Sequence, residues 1–201
     1  MVLIGYSGHA FVVYGIFKAT GKNVTGYCDV AEKANNPFGL PYFGTENSET
    51  GLDAIRASGY FIAVGDNMLR RKIYESLQKN NVAAANAIHP SAVIDSSANI
   101  APGGVMIAAN ATINPLASIA TGAICNTGCI IEHECEVGEF AHIGPGAVLC
   151  GNVKVGAGTF VGANAVIRQG ITIGNNAMIG AGAVVVKDIL DNCTVVGVPA
   201  K

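Results

Sequence analysis

Between Ile131 and Val137 the chain reads Ile-Glu-His-Glu-Cys-Glu-Val, which sets His133 among the carboxylates of Glu132, Glu134 and Glu136. Charged residues make up only 13% of the 201-residue chain, so this cluster stands apart from its surroundings. An imidazole titrates near neutrality, which suits a general base. A carboxylate beside it holds the ring and stabilises its protonated form, and Glu134 is the candidate for that partner. Adjacent residues on a strand point to opposite faces, so the pairing demands a bend at 133–134. A lone solvated histidine is the plain alternative, and the concentration of acids in a charge-poor region argues against it.

The element that must carry this cluster is a repeat. From Ile113, steps of six reach Ile119, Cys125, Ile131, Val137, Ile143, Leu149, Val155, Val161, Ile167, Ile173, Ile179 and Val185, thirteen apolar positions without a slip. Four residues after most of these comes a small side chain, as at Ala117, Ala123, Cys129, Cys135, Ala141 and Ala147. Neither a helix nor an isolated strand repeats at six. The period fits a chain wound into a triangular prism, one hexad per side, with three hexads closing each coil. Successive coils stack about 4.8 Å apart through parallel ladders. Ile88, Ile94, Ile100 and Met106 keep the step one residue out of phase, which predicts an irregularity between Met106 and Ile113. Residues 88–187 then make between five and six coils. Stacking at a period of three hexads places Gly151 one coil above His133, where its backbone N–H would act as an oxyanion donor. His142 lies half a coil from His133. A purely architectural β-helix would need no charged cluster.

Residues 1–85 have another texture. Val2–Ile4, Val24–Cys28 and Tyr60–Val64 read as strands, and 10–20 and 68–80 as helices, which implies a small parallel sheet with Rossmann-like winding. Ligands bind such sheets beyond the carboxyl ends of the strands, where Gly5–His9, Asp29 and Gly65–Asn67 converge. Glycines and a helix N-terminus favour phosphate there. Only Gly5 and Gly8 are present, so the dinucleotide fingerprint G-x-G-x-x-G is not met, and a nucleotide is favoured over NAD. The expected organisation is a Rossmann-like nucleotide-binding domain at 1–85 and a β-helix domain at 86–201.

Composition narrows the remaining classes. A net charge of −2 supplies no field for nucleic acid or an anionic membrane. No apolar run reaches the roughly 18 residues of a membrane span, and the first residues lack the basic flank of a signal peptide. Six cysteines include no C-x2-C pair, which argues against a metal site. They read as reduced, structural thiols of a cytoplasmic protein.

Three segments carry a resemblance: Gly5-Tyr-Ser-Gly-His9, the run from Asn126 through Cys135 to His142, and Gly197-Val-Pro-Ala-Lys201. Together they resemble the PglD/NeuD-type hexapeptide-repeat acetyltransferases. This family comprises nucleotide-aminosugar N-acetyltransferases, among them enzymes acting on GDP-perosamine and viosamine, and is similar to the sialic acid O-acetyltransferases. The resemblance implies an α/β Rossmann-like domain followed by a left-handed parallel β-helix. It implies acetyl-CoA as co-substrate, His133 as catalytic base and Glu134 as the group raising its basicity. His142, Gly151 and the backbone of Ala163 and Ala181 would contact acetyl-CoA. Ser7, Gly8, His9, Asp29 and Gly65 would hold the nucleotide sugar, with Asn126 beside the sugar ring. Family members are homotrimers with CoA in the groove between neighbouring β-helices. The acceptor implied is an amino-deoxy sugar, of the 4-amino-4,6-dideoxyhexose kind. Two positions depart from the pattern: Val30 stands where several relatives carry a second acid, and Asp66 where many carry Asn. Both lie in the nucleotide loops and bear on base and sugar identity. Rival expectations are O-acetylation of a sialic acid and a non-enzymatic sugar-nucleotide sensor or scaffold.

Overall fold

The computed structural model describes all 201 residues. The chain begins with a three-stranded parallel sheet in the order β2-β1-β3, formed by β1 (Val2–Ile4), β2 (Gly26–Cys28) and β3 (Tyr60–Ile62). All three strands are buried throughout, as expected of a parallel sheet whose faces are covered. Helix α1 (Gly8–Ala19) follows β1 directly and starts at Gly8, where the sequence pattern predicts Ala10. Helix α3 (Asn67–Gln78) follows β3 and is N-capped by Asp66, whose carboxylate accepts from the Leu69 N–H at 2.7 Å. Asn would cap as well as Asp at that position. Helix α2 (Glu49–Ser58) was not anticipated. Gly51 and Gly59 mask it in the sequence, while the Ser48 side chain caps it and Ile55 anchors it in the core.

From Ala87 onward the chain forms a β-solenoid of about six turns, built from two-residue strands β4 (Ala87–Ile88) to β21 (Thr194–Val195). The strands stack in three parallel sheets of seven, six and five members, which are the three faces of the prism. We call these the first, second and third faces in the order one coil visits them. The ladder register is three hexads along most of the stack: Ile131 pairs with Leu149, and Leu149 with Ile167. All thirteen hexad residues from Ile113 to Val185 are buried in one core together with the small corner residues.

The phase shift sits elsewhere than expected. Ile88 pairs with Ile107, Ile94 with Ile113 and Ile100 with Ile119, so the first coil is one residue longer than three hexads. The extra residue falls in the turn between Ile100 and Met106, at Gly103-Gly104, and Ile107 is the inward residue. Met106 points outward and is fully buried against the amino-terminal region, packed with Phe17, Phe61 and Ile124. An outward residue covered by a second core looks like a hexad residue in sequence, which produced the misplacement.

Arg70 of α3 fastens the two parts together. It is 1% exposed and spends all five N–H donors on oxygen: Nε on Gly122 O at 2.9 Å, Nη1 on Val64 O and Gly65 O, and Nη2 on Asn67 Oδ1 and Phe140 O. Gly122 and Phe140 belong to the solenoid. Asn67 adds a bond from Nδ2 to Gly158 O at 2.9 Å. Truncating Ile143 in the prism interior is expected to cost about 2–5 kcal/mol. Ile143→Ala should therefore melt well below the wild type in calorimetry, and Ile100→Ala, at a half-buried site near the open end, should melt closer to it. Equal losses would contradict the assignment of the core.

Candidate active site

His133 and Glu134 occupy the corner between the second and third faces, in the turn joining β11 (Ile130–Ile131) to β12 (Glu136–Val137). The bend their pairing requires is a left-handed residue: Glu134 has φ of 59°. Most corners fill that position with Gly or Asn, which tolerate it, so a glutamate there costs about 1 kcal/mol and is retained for another reason. Glu134 Oε2 lies 3.0 Å from His133 Nδ1. A carboxylate only accepts, so the proton sits on Nδ1 and the Nε2 lone pair is free. Of the flanking acids only Glu134 touches the ring, since Glu136 pairs with Lys154 Nζ at 2.9 Å.

Gly151 lies directly above this ring. A Cβ built on it would stand 2.5 Å from both Cε1 and Nε2 of His133, which no real side chain tolerates. The Gly151 N–H makes no hydrogen bond, whereas the next amide, Asn152, donates to His133 O at 2.8 Å. An acceptor lone pair and an unpaired amide donor therefore adjoin at one corner. A broad groove of about 850 Å³ runs along the third face past Glu134 and Asn152. Ala163 and Ala181 stack one coil apart at a different corner, between the first and second faces, and their N–H groups are also unpaired.

His142 belongs to a second group. It lies on the first face, in β13 (His142–Ile143), under the amino-terminal region, and is 7% exposed. Asn126 Oδ1 accepts from the Thr127 N–H at 2.8 Å, which turns Asn126 Nδ2 toward His142 Nε2 at 3.0 Å. Nε2 is thus the acceptor, and Nδ1–H faces Gly65 O at 3.4 Å. His9 packs on Gly65, with its ring 6.1 Å from that of His142 and its buried Nε2 without a partner. Burial, reinforced by the Arg70 guanidinium, pushes His142 down to about 3 and His9 to about 4. Both rings are neutral at physiological pH.

Beyond the carboxyl ends of β1–β3 opens a cavity of about 440 Å³ lined by Ser7, Asp29, Lys33, Glu46, Gly65 and Asp66. Gly8 lines a smaller one beside it. Asp29 also ties the loops: Oδ2 accepts from Tyr6 N–H at 2.9 Å, while Oδ1 takes Val30 N–H and the Lys33 ammonium. Val30 itself is 84% exposed. Of the residues named from sequence, the structure gathers His133, Glu134 and Gly151 at one corner. It gathers His9, Gly65, Asn126 and His142 at the domain seam, and Ser7, Asp29 and Gly65 at the cavity. The corner between the second and third faces lies opposite the first face, so His133 and His142 sit on opposite sides of the prism. Sequence reasoning missed Arg70, whose signal was its place on the apolar stripe of α3 with Ile73 and Leu77.

A parallel β-solenoid bearing a free imidazole nitrogen and a bare amide at one corner, joined to an α/β domain with a cavity of about 440 Å³, has the architecture of an acyltransferase of the hexapeptide-repeat class. The family model for the PglD N-terminal domain matches residues 1–77, and that for the bacterial transferase hexapeptide (six repeats) matches 152–187. PerB from Caulobacter crescentus, solved with CoA and GDP-perosamine, is 39% identical, with a TM-score of 0.91 over 100% of this chain and 95% of that one. The acetyltransferase domain of PglB from Neisseria gonorrhoeae, solved with acetyl coenzyme A, is 33% identical, with a TM-score of 0.89 over 100% and 97%. WeeI from Acinetobacter baumannii, at 22% identity and a TM-score of 0.74, shares the fold. The chain belongs to the PglD-type family of nucleotide-aminosugar N-acetyltransferases.

Two expectations follow from this geometry. Gly151→Ala must displace the imidazole, so turnover should fall at least about tenfold with the fold retained, because a misplaced reacting group loses its alignment. Steady-state kinetics beside a circular dichroism melt would check this, and an unchanged kcat would contradict the stacking. The second concerns pH. Below the ordinary 6.5 the unfolded chain binds protons that folded His9 and His142 do not take up until about 4 and 3. The stability of their neutral forms is therefore complete above pH 6.5 and is lost as pH falls through that window. Tm should decline from pH 7.5 to 5, and the pair of substitutions His9→Asn and His142→Asn should flatten the decline. An unaltered slope would refute it.

Proposed function

We propose that this chain transfers the acetyl group of acetyl-CoA directly to the amino group of a nucleotide-linked amino-deoxy sugar, with His133 as general base. The observation that carries the mechanism is the free Nε2 of His133, fixed by Glu134, beside the unpaired N–H of Gly151. A sugar amine is largely protonated near neutral pH and attacks only after losing a proton. Nε2 takes that proton before nitrogen closes on the thioester carbonyl, and Glu134 stabilises the imidazolium that results. The Gly151 amide donates to the oxygen as it gains charge; the carbon–sulfur bond then breaks, and CoA leaves as the thiol, carrying the second proton shed by the acylated nitrogen. Neutral His142, oriented by Asn126, serves the site as a polar contact and not as an acid.

The nucleotide occupies the cavity lined by Ser7, Asp29 and Gly65, with Gly8 at its rim and His9 and Asn126 toward the sugar. We assign acetyl-CoA to a groove between copies of the chain, against Gly151 on one side and the amides of Ala163 and Ala181 on the other. This reading makes the enzyme a homotrimer. Two observations support it: the site's halves lie on opposite sides of one prism, and the second face presents an outward column of Val93, Ile130, Val148, Val166 and Val184, interrupted by Thr112. Val93 and Ile130 are exposed and the other valines half-buried, an apolar stripe suited to a second copy. The acceptor is a 4-amino-4,6-dideoxyhexose, and the reduced thiols fit a cytoplasmic enzyme.

His133→Ala is expected to lower kcat by a factor on the order of 10² to 10⁴ while light scattering shows an unchanged assembly. Activity within a few fold of wild type would end the assignment. Offering the wild-type enzyme amine and hydroxyl acceptors side by side should give product from the amine alone.

A further inference from the structure

The peptide that carries the Gly151 amide also carries the Cys150 carbonyl, and that carbonyl has an unusual partner. At this edge of the prism the turns are closed by a bond from the fourth residue's N–H to the first residue's C=O. Ala117 bonds Asn114, Cys135 bonds Glu132, and Ile171 bonds Arg168. The turn at 150–153 lacks that bond. Instead the Cys135 thiol, fully buried one coil below, donates to Cys150 O with Sγ 3.2 Å away. It is the only hydrogen bond that carbonyl receives. The thiol therefore takes the carbonyl that the missing turn closure leaves free.

A trans peptide is planar, with C=O and N–H pointing in opposite directions. A carbonyl drawn inward onto Cys135 therefore turns the Gly151 N–H outward, to the side where the acyl group must react. Hydrogen bonding to a carbonyl also polarises the amide at the other end of the same peptide, which strengthens it as a donor. We propose that Cys135 is a positioning residue for acetyl transfer, whose thiol aims and polarises the Cys150–Gly151 peptide as the oxyanion donor. It touches neither substrate. Burial pushes the thiol up to about 11, so it remains a protonated donor at working pH. The inference rests on the proposed role of His133 and Gly151.

The test compares Cys135→Ala, which removes the donor, with Cys135→Ser, which keeps an O–H in its place. Both are assayed for kcat and for KM of acetyl-CoA and acceptor, beside their melting temperatures and the wild type. Cys135→Ala should lose about 5- to 20-fold in kcat, less than the 10² or more of a deleted oxyanion donor, with both KM values within twofold of wild type. Cys135→Ser should recover most of kcat, even where its Tm is as low as that of the alanine variant. Equal losses in both, or kcat falling only in step with Tm, would make Cys135 a packing residue and overturn the proposal. If Cys135→Ala fails to fold, the serine variant decides alone: kcat near wild type at a lowered Tm supports the proposal, and kcat lost in proportion refutes it. An inactive wild type, or an active His133→Ala, would instead strike at the proposed function.

Discussion

The interaction on which this molecule depends is the parallel backbone ladder that lays coil on coil, at a spacing of three hexads between Met106 and Val185. It has no partner but the chain itself, and it converts sequence separation into vertical neighbourhood. Through it Gly151 comes to rest on His133, Cys135 comes beneath the turn at 150–153, and Ala181 comes above Ala163. A one-residue error in register would move an inward aliphatic to the surface and lift the amide off the imidazole. The interior tolerates only one phase, because every rung must present an aliphatic side chain to the axis and a small one to the corner. The packing that stabilises the fold therefore also fixes the geometry of the reaction.

The prism has three corners and three faces, and the chemistry is distributed over them. The corner between the second and third faces holds the His133 imidazole and the Gly151 amide. The first face, opposite, holds a neutral histidine pair clamped by the amino-terminal region. Arg70 belongs to this clamp: its guanidinium satisfies solenoid carbonyls and the Gly65 carbonyl at once, and its charge helps keep both histidines unprotonated. The buried guanidinium hydrogen-bonds only neutral acceptors, with the Asp66 charge nearby, so the seam between the two parts has little freedom to shift. In the proposed trimer, the corner of one prism meets the seam of the next.

Much of the solenoid was legible because its signal is a long arithmetic series. The thirteen hexad residues from Ile113 to Val185 all proved to be inward, and His133 with Glu134 proved to sit at a corner. The phase of the first coil was misjudged for a local reason. Met106 is apolar because the amino-terminal domain covers it, and a one-dimensional pattern does not distinguish two cores. The same blindness hid the surroundings of His142: the spacing put it half a coil from His133, but not under the amino-terminal region that buries it. Helix α2 escaped because its glycines lower helix propensity while tertiary packing at Ile55 and the Ser48 cap hold it. The thiol of Cys135 read as a small interior residue, and burial in the core agrees, but its bond to Cys150 depends on a turn closure that sequence does not reveal.

The account stands or falls on whether one working site is assembled from the corner of one chain and the seam of another. Co-expressing His133→Ala chains with His142→Ala chains, each expected to lose most of its activity by itself, measures this directly. Random mixing in a ring places an intact corner beside an intact seam at about one site in four, so activity should return to roughly a quarter of wild type. Mixed assemblies as inactive as either parent would mean that the two histidines do not come together from neighbouring chains.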